Sequence, residues 1–458
     1  MAIENTHISY YELDRAFKKA KSVFFIGIGG ISMSALAEYC LFLGKGVFGY
    51  DRTRGEECKR LEGRAHIRYC STTDSVRGMG LVVFSCAIDE NCFELVEARR
   101  LGILCVSRAN FLGYIMADFK CRIGVSGMHG KSTTTAMLSR IFECAGREPT
   151  VICGAKMREH GSQFLFGTGQ DFIFEACEYM NSFLNFAPTD AIVTNIDLDH
   201  PDFFTSLSQI KSSFQEYILG ARRVFVNADD KNSSALLHPF KISFGIENSA
   251  DYMAKIDTGM GKNSFSVLYR GKDIAHITLC ELGRYNVYNA LCAFAVASEN
   301  GISHEVISGA LCGFKGSERR QEYIKSVITD AKNGHTSPLF IDYAHHPTEI
   351  KASLSAFKDM GYKKILCIFQ AHTYSRTYAL YDEFLSAFKN AWELIITPIY
   401  SAREENTFPI SDEGFASDLG AIFMSDYEEI AKKVHNCGSD LVVIMGAGDI
   451  LLLKNYIN

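Results

Sequence analysis

The segment Gly127-Met128-His129-Gly130-Lys131-Ser132-Thr133 has the composition of a phosphate cradle. Glycines let successive backbone N–H groups converge on an anion, Lys131 can neutralise β/γ-phosphate charge, and the Ser132 hydroxyl can join a magnesium shell. Its spacing departs from the usual P-loop, which has a glycine where this chain has Val125. His129 faces a substrate or caps the turn, and spacing leaves both open. Two acidic clusters follow, Phe174-Glu175-Ala-Cys-Glu178 and Asn195-Ile-Asp197-Leu-Asp199-His200-Pro-Asp202. Hard Mg²⁺ wants oxygen, so Glu178 is the stronger ligand on chemistry alone and His200 the less usual one. Upstream, Gly27-Ile-Gly29-Gly30 offers another place for backbone to approach a diphosphate, and Asp51 can take a ribose hydroxyl. The dinucleotide fingerprint fails at Ser32, where its third glycine belongs. That favours a nucleotide diphosphate over NAD. Near the C-terminus stand Asp342-Tyr343, His345-His346, His372 and Arg376. An arginine can bind a carboxylate bidentately. Paired histidines ahead of Pro347-Thr-Glu349 read equally well as a helix-entry turn.

These residues need elements to hold them. The first glycine turn lies between a strand, Ser22-Val-Phe-Phe-Ile26, and a helix whose Met33, Leu36, Ala37, Cys40 and Leu43 share one face. The second lies between Cys121–Ser126 and a helix carrying Met137, Leu138, Ile141 and Phe142, with later strands at 172–174, 191–194 and 224–226. A third series starts near Pro338–Asp342 and runs through Ile365–Phe369 to Leu441–Met445. Strands alternating with helices predict an α/β fold of parallel sheets in three domains, with ligands at the strands' carboxyl ends. The restarts put the domains at 1–119, 120–313 and 314–458.

The 458 residues suit about three domains. Against 47 Lys plus Arg there are 53 Asp plus Glu, giving a net charge of −6, which disfavours a nucleic-acid partner. The N-terminal segment is charged throughout, and no apolar run suits a membrane span. The 15 cysteines are scattered, Cys86 and Cys92 being the nearest pair, without a CxxC or zinc-like spacing. They predict reduced, buried thiols in a cytoplasmic protein, and Trp392 is likewise expected in a core.

The segments FIGIGGISMS, GMHGKSTTT, FEACEY, TNIDLDHPDFF, YNVYNALCA, IDYAHHPTEI, FQAHTYSRT and MGAGDI occur here in an order that resembles the Mur ligase family, from Gly27 to Ile450. Cys177 and Tyr179 replace an Asp and a Ser of the more familiar version, while Glu178 is retained. The pairing of GIGG, DYAHHPTE and GAGDI resembles the alanine-adding branch. The resemblance implies an N-terminal Rossmann-like UDP-binding domain, a central P-loop ATPase-like domain and a C-terminal Rossmann-like α/β domain for the amino acid. It implies an ATP- and Mg²⁺-dependent ligase joining L-alanine to the lactyl carboxylate of UDP-N-acetylmuramate through an acyl phosphate.

Residue by residue, it implies that Gly27, Gly29, Gly30 and Asp51 serve the UDP-sugar. Gly127 to Thr133 would serve ATP, with Asn286, Asn289, Arg320, Asp342 and Tyr343. Ser132 and Glu178 would hold one Mg²⁺ and His200 a second. His345, His346, His372 and Arg376 would line the amino-acid site, a histidine near Arg376 taking the amine's proton. No thiol is required. The rival readings are a sister ligase adding another amino acid or a peptide, an NAD-dependent dehydrogenase using the first glycine turn, and a nucleotide-binding scaffold. The dehydrogenase leaves Gly127 to Ser132 without a task.

Overall fold

Runs of β-branched and aromatic residues bounded by glycine turns form three sheets in a computed structural model, which describes residues 8–85, 88–201, 203–257, 263–281, 283–402 and 404–457. The first sheet contains β1 (Ser22–Ile26), β2 (Gly46–Tyr50), β3 (His66–Arg68), β4 (Leu81–Phe84) and β5 (Cys105–Ser107), in the order β3-β2-β1-β4-β5. All its pairings are parallel. With helices on both sides, β1 reads as a continuous apolar run, and Val23 to Ile26 are buried. The chain reverses direction across the sheet at β1, so the crevice of this fold opens where Gly27 follows it.

The central sheet contains β6 (Cys121–Ser126), β7 (Thr150–Met157), β8 (Ser162–Leu165), β9 (Asp171–Glu175), β10 (Asp190–Val193), β11 (Arg223–Asn227), β12 (Lys241–Gly245), β13 (Tyr252–Ile256), β14 (Ser264–Tyr269) and β15 (Lys272–Thr278). Its order is β15-β14-β13-β12-β11-β10-β6-β9-β7-β8. With β6 between β9 and β10, the segments after all three strands share one sheet edge. The third sheet has the order β16-β17-β21-β18-β19-β20, from β16 (Glu322–Asp330), β17 (His335–Asp342), β18 (Ile365–Phe369), β19 (Glu393–Ile396), β20 (Ile422–Phe423) and β21 (Leu441–Met445).

Parallel pairing dominates, as the alternation of strands and helices predicts, and antiparallel pairs stand at the sheet edges. The pairs β7–β8, β13–β14, β14–β15 and β16–β17 are antiparallel, a pairing that does not require a crossover helix. Some expectations are corrected. Leu43 caps the Ile31–Phe42 helix and is exposed, because the helix ends before that residue can turn inward. Trp392 is 49% exposed and lies under the Lys364 ammonium instead of in a core. Cys70, Cys144 and Cys280 are exposed, while Cys40, Cys58, Cys153, Cys292 and Cys367 are buried. Cys86 and Asp202 lie outside the described residues.

The first two domains share one apolar cluster, in which Phe25, Leu36 and Phe111 are continuous with Phe172, Phe183 and Phe214. Polar contacts reinforce it: Gln163 Nε2 donates to Glu57 Oε2 at 2.7 Å, and Asn110 Nδ2 donates to Asn185 Oδ1 at 2.8 Å. The third domain has separate cores on the two faces of its sheet. Among the described residues no helix is long and apolar enough to cross a membrane.

The seam between the first two domains is tight at Gly113, in the Arg108–Met116 helix, where a β-carbon would collide with the Asn185 carbonyl. Gly113→Ala is therefore expected to destabilise the protein by about 1–3 kcal/mol, as overpacking does. A thermal melt checks this; an unchanged midpoint would mean that the seam yields without cost.

Candidate active site

The phosphate-loop sequence folds as a turn between β6 and the Lys131–Cys144 helix. Gly127 (φ 128°) and Gly130 (φ 85°) take backbone conformations that disfavour any side chain, and β-carbons there would strike Thr194 and Asn289. The turn is tied to the end of β10. Met128 N–H donates to the Asn195 carbonyl (3.2 Å) and His129 N–H to Asn195 Oδ1 (2.9 Å). Asn195 Nδ2 returns a bond to the His129 carbonyl at 2.9 Å.

Lys131 points back across this turn. Its Nζ lies 3.0 and 2.9 Å from Glu178 Oε1 and Oε2, and 2.5 Å from the Gly127 carbonyl. Glu178, only 1% exposed, also lies 3.4 Å from His200 Nε2. Burial works against the Lys131 charge, but Glu178, Cys177 and Glu175 outweigh it, and its pKa stands above the ordinary lysine value. Burial likewise opposes the Glu178 charge, but Lys131 and His200 hold its pKa below the usual carboxylate range. Both groups are therefore ionised at neutral pH. Ser132 Oγ donates to Glu175 Oε2 at 2.7 Å instead, and Gly154 N–H meets the same oxygen at 2.8 Å. Burial, then the Glu178 charge, pushes the Cys177 thiol up to about 11, which leaves it protonated and a poor nucleophile.

Two adjoining cavities meet here. His129, Gly130, Ser132 and Arg320 line both. Thr133, Asn286, Asn289 and Asp342 line the first. Met128, Lys131, Glu178 and His200 line the second, with Gly29 from the first domain and Tyr343 and His345 from the third. Asn289 Nδ2 donates to Asn286 Oδ1 (3.2 Å), and Thr134 Oγ1 donates to Asn289 Oδ1 (3.3 Å). Burial raises the Asp342 carboxyl to about 6 against the pull of Arg320, and Ser353 Oγ donates to it at 2.6 Å.

Glu349 stands where the cavities join. Its carboxylate lies 3.2 Å from Arg320 Nη1, 3.3 Å from His129 Nδ1 and 3.4 Å from His345 Nδ1, and it accepts the His345 N–H. Arg320 also lies over the Tyr343 ring at 5.3 Å. Hydrogen-bond partners fix several histidine tautomers. The Tyr343 carbonyl, 3.0 Å from His345 Nδ1, can only accept, so that nitrogen carries the proton and Nε2 the lone pair. Burial lowers the His345 pKa to about 3, so the ring is neutral at pH 7.

His346, His372 and Arg376 stand behind this lining. His346 Nδ1 accepts from Thr348 N–H, capping the Pro347–Asp359 helix, and its Nε2 donates to the Leu198 carbonyl. His129, Asp197 and His346 place ligand-type atoms within 4.8 Å of one another, but both His346 nitrogens are committed and neither offers a lone pair to a metal. His372 Nδ1 accepts from Arg376 Nη1 at 3.2 Å, and burial lowers its pKa to about 4. In the first domain, Gly27 N–H donates to the Tyr50 carbonyl and Gly30 N–H to the Gly27 carbonyl. Gly29 N–H donates to Asp51 Oδ2 at 2.9 Å, so the Asp51 side chain braces the backbone of the glycine turn.

Residues 22–120 match the family profile of the Mur ligase catalytic domain, 125–297 the Mur ligase middle domain, and 319–448 the Mur ligase glutamate ligase domain. The UDP-N-acetylmuramate–L-alanine ligase of Caldanaerobacter subterraneus subsp. tengcongensis is 39% identical, across 94% of this chain and 96% of its own. The chain belongs to the Mur ligase family. The enzyme of the same name from Aquifex aeolicus is 38% identical, with 94% and 96% covered. The crystal structure of UDP-N-acetylmuramate-alanine ligase from Thermotoga maritima superposes with a TM-score of 0.80 at 26% identity, covering 95% of this chain and 98% of that one.

Sequence reasoning passes over two residues of this Mur ligase. Glu349 looks like an ordinary helix-start acid, and Asp199 like one acid of a cluster. Only tertiary pairing distinguishes them. The Lys131–Glu178 pair can be tested directly. Glu178→Gln leaves Lys131 buried but removes its principal anion, so the lysine pKa is expected to fall below the ordinary value. Amine labelling as a function of pH measures it. An unchanged pKa would mean that the pair does not form in solution.

Proposed function

We propose that this Mur ligase joins L-alanine to the lactyl carboxylate of UDP-N-acetylmuramate at the expense of ATP, in peptidoglycan precursor synthesis. One observation carries the reading. A single cavity collects Gly29 from the first domain, Lys131, Glu178 and His200 from the second, and Arg320 and His345 from the third. A sugar nucleotide, a phosphoryl donor and an amino acid would each approach from a different domain. The full-length identity to L-alanine ligases supports the choice of acceptor.

A carboxylate does not condense with an amine unless it is activated. Transfer of the γ-phosphoryl group makes an acyl phosphate, the amine attacks it, and the tetrahedral intermediate expels phosphate. Lys131 and Arg320 are placed to balance charge on the transferring group. The buried Glu178 carboxylate suits a hard cation: Ser132 and Glu178 would hold one Mg²⁺, and His200, the less usual ligand, a second. Bound there, the ions would neutralise phosphate charge. His345 Nε2 carries a lone pair and is the acceptor we assign to the amine's proton, a role for which arriving phosphate charge would have to raise its pKa from about 3. Asn286, Asn289, Asp342 and Tyr343 would border the nucleotide, and Arg376 would meet the acceptor's carboxylate.

Phosphate release with UDP-N-acetylmuramate, ATP, Mg²⁺ and each amino acid in turn is expected to be fastest with L-alanine, then slower with glycine and serine. Equal rates with D-glutamate, or activity only with a tripeptide, would assign the chain to a sister ligase.

Two substitutions separate the domain roles. A β-carbon on Gly29 would lie 2.7 Å from Cys58 Sγ and 2.9 Å from Asp51 Oδ2, so Gly29→Ala is expected to raise KM for the sugar nucleotide much more than for ATP. The reverse would exchange the roles of the first two domains. Glu178→Gln is expected to lower kcat by about 10²-fold or more, with sugar-nucleotide KM little changed. Cys177→Ala should stay near wild type. Near-normal turnover of the Gln variant at modest Mg²⁺ would remove Glu178 from the mechanism.

A further inference from the structure

The contacts from the segment Asp197–His200 to the third domain form a series. Thr348 Oγ1 donates to Asp197 Oδ2 at 3.0 Å, His346 Nε2 lies 3.2 Å from the Leu198 carbonyl, and Arg376 Nε donates to Asp199 Oδ1 at 2.9 Å. The last pair spans 177 residues of sequence, and its side chains are only 7% and 8% exposed. The same Asp199 Oδ1 accepts the backbone N–H of His200 at 2.7 Å. His200 itself adopts φ 54°, an uncommon conformation for a residue with a side chain, and lies 3.4 Å from Glu178. One carboxylate oxygen therefore connects the third domain's buried arginine to the backbone of a residue in the phosphoryl site.

The division of the guanidinium is informative. Asp199 takes Nε, and His372 Nδ1 takes one Nη1 hydrogen. Among the described residues Nη2 has no partner, so the Nη1/Nη2 end retains donors for a carboxylate.

We infer that Asp199 is a positioning residue: it orients Arg376 across the domain boundary to receive the acceptor's carboxylate, and ties that arginine to the backbone of His200. The inference rests on the proposed ligase reading. Orientation from Nε, with the far end left to the substrate, predicts that loss of the Asp199 charge weakens acceptor binding selectively.

The test uses the full-length enzyme with UDP-N-acetylmuramate, ATP, Mg²⁺ and L-alanine. Asp199→Asn is expected to raise the L-alanine KM about tenfold or more, while KM for ATP and sugar nucleotide stay within about twofold. Arg376→Lys should raise it as well, and the double variant should be no worse than Arg376→Lys alone, because the residues act as one unit. Single-turnover ADP formation without amino acid should survive in Asp199→Asn. An unchanged L-alanine KM, additive effects, or loss of the ADP burst with normal acceptor affinity would overturn the assignment. A lower KM would overturn it too, by showing that Asp199 competes with the substrate. If the Asn variant does not fold, Asp199→Glu, which keeps the charge but moves the carboxylate, is expected to raise the same KM, and an unchanged value refutes the proposal. Absence of L-alanine-dependent phosphate release by the wild-type enzyme would instead refute the ligase reading.

Discussion

The buried ion pair between Lys131 and Glu178 is the constraint around which the site is arranged. Two opposite charges are held with side chains only 12% and 1% exposed, where each would be costly alone. Their coexistence requires that β6 and β9 be adjacent, that the glycine turn fold back far enough for Nζ to reach the Gly127 carbonyl, and that His200 come in from the end of β10. The sheet order satisfies the first and third conditions by placing β6 between β9 and β10, and the local fold of the glycine turn satisfies the second.

Glu349 plays a parallel role on the opposite wall. It gathers Arg320, His129 and His345 around one carboxylate. Burial opposes its charge, but Arg320 and the two histidines hold its pKa well below the ordinary carboxylate range. The two carboxylates thus stabilise clusters of donors in the very places where phosphate charge is expected to arrive. Preorganisation of this kind lowers the reorganisation needed during phosphoryl transfer.

Much of this was legible in the sequence, because turns and buried strands obey local rules. The strands Ser22–Ile26 and Cys121–Ser126 announce themselves as apolar runs ending in glycine, and Gly127 to Lys131 folds as such a junction demands. The antiparallel edge from β13 to β15 was not legible, since its alternating residues, such as Lys255 and Lys272, lack the dense apolar signal of the central strands. Leu43 and Trp392 were misplaced because hydrophobicity alone does not show where a helix ends or which side of a turn meets water. The Asp199–Arg376 and Glu349–His129 pairs were invisible for a different reason. Each joins elements more than 170 residues apart, and no local pattern distinguishes such a carboxylate from a solvated one.

The continuous apolar cluster linking the first two domains also bears on how the chain is made. Synthesis proceeds from the N-terminus, and domains generally fold in the order in which they emerge. Here the first sheet can form early, yet Leu36, Tyr39 and Phe111 belong to a cluster completed only by residues as late as Phe214, Val226 and Leu236. A nascent chain that has just finished the first domain therefore carries uncovered hydrophobic surface until more than a hundred further residues have been added. Such a surface is a natural target for ribosome-associated chaperones, whereas the third domain, with its own enclosed cores, can fold without waiting for its neighbours.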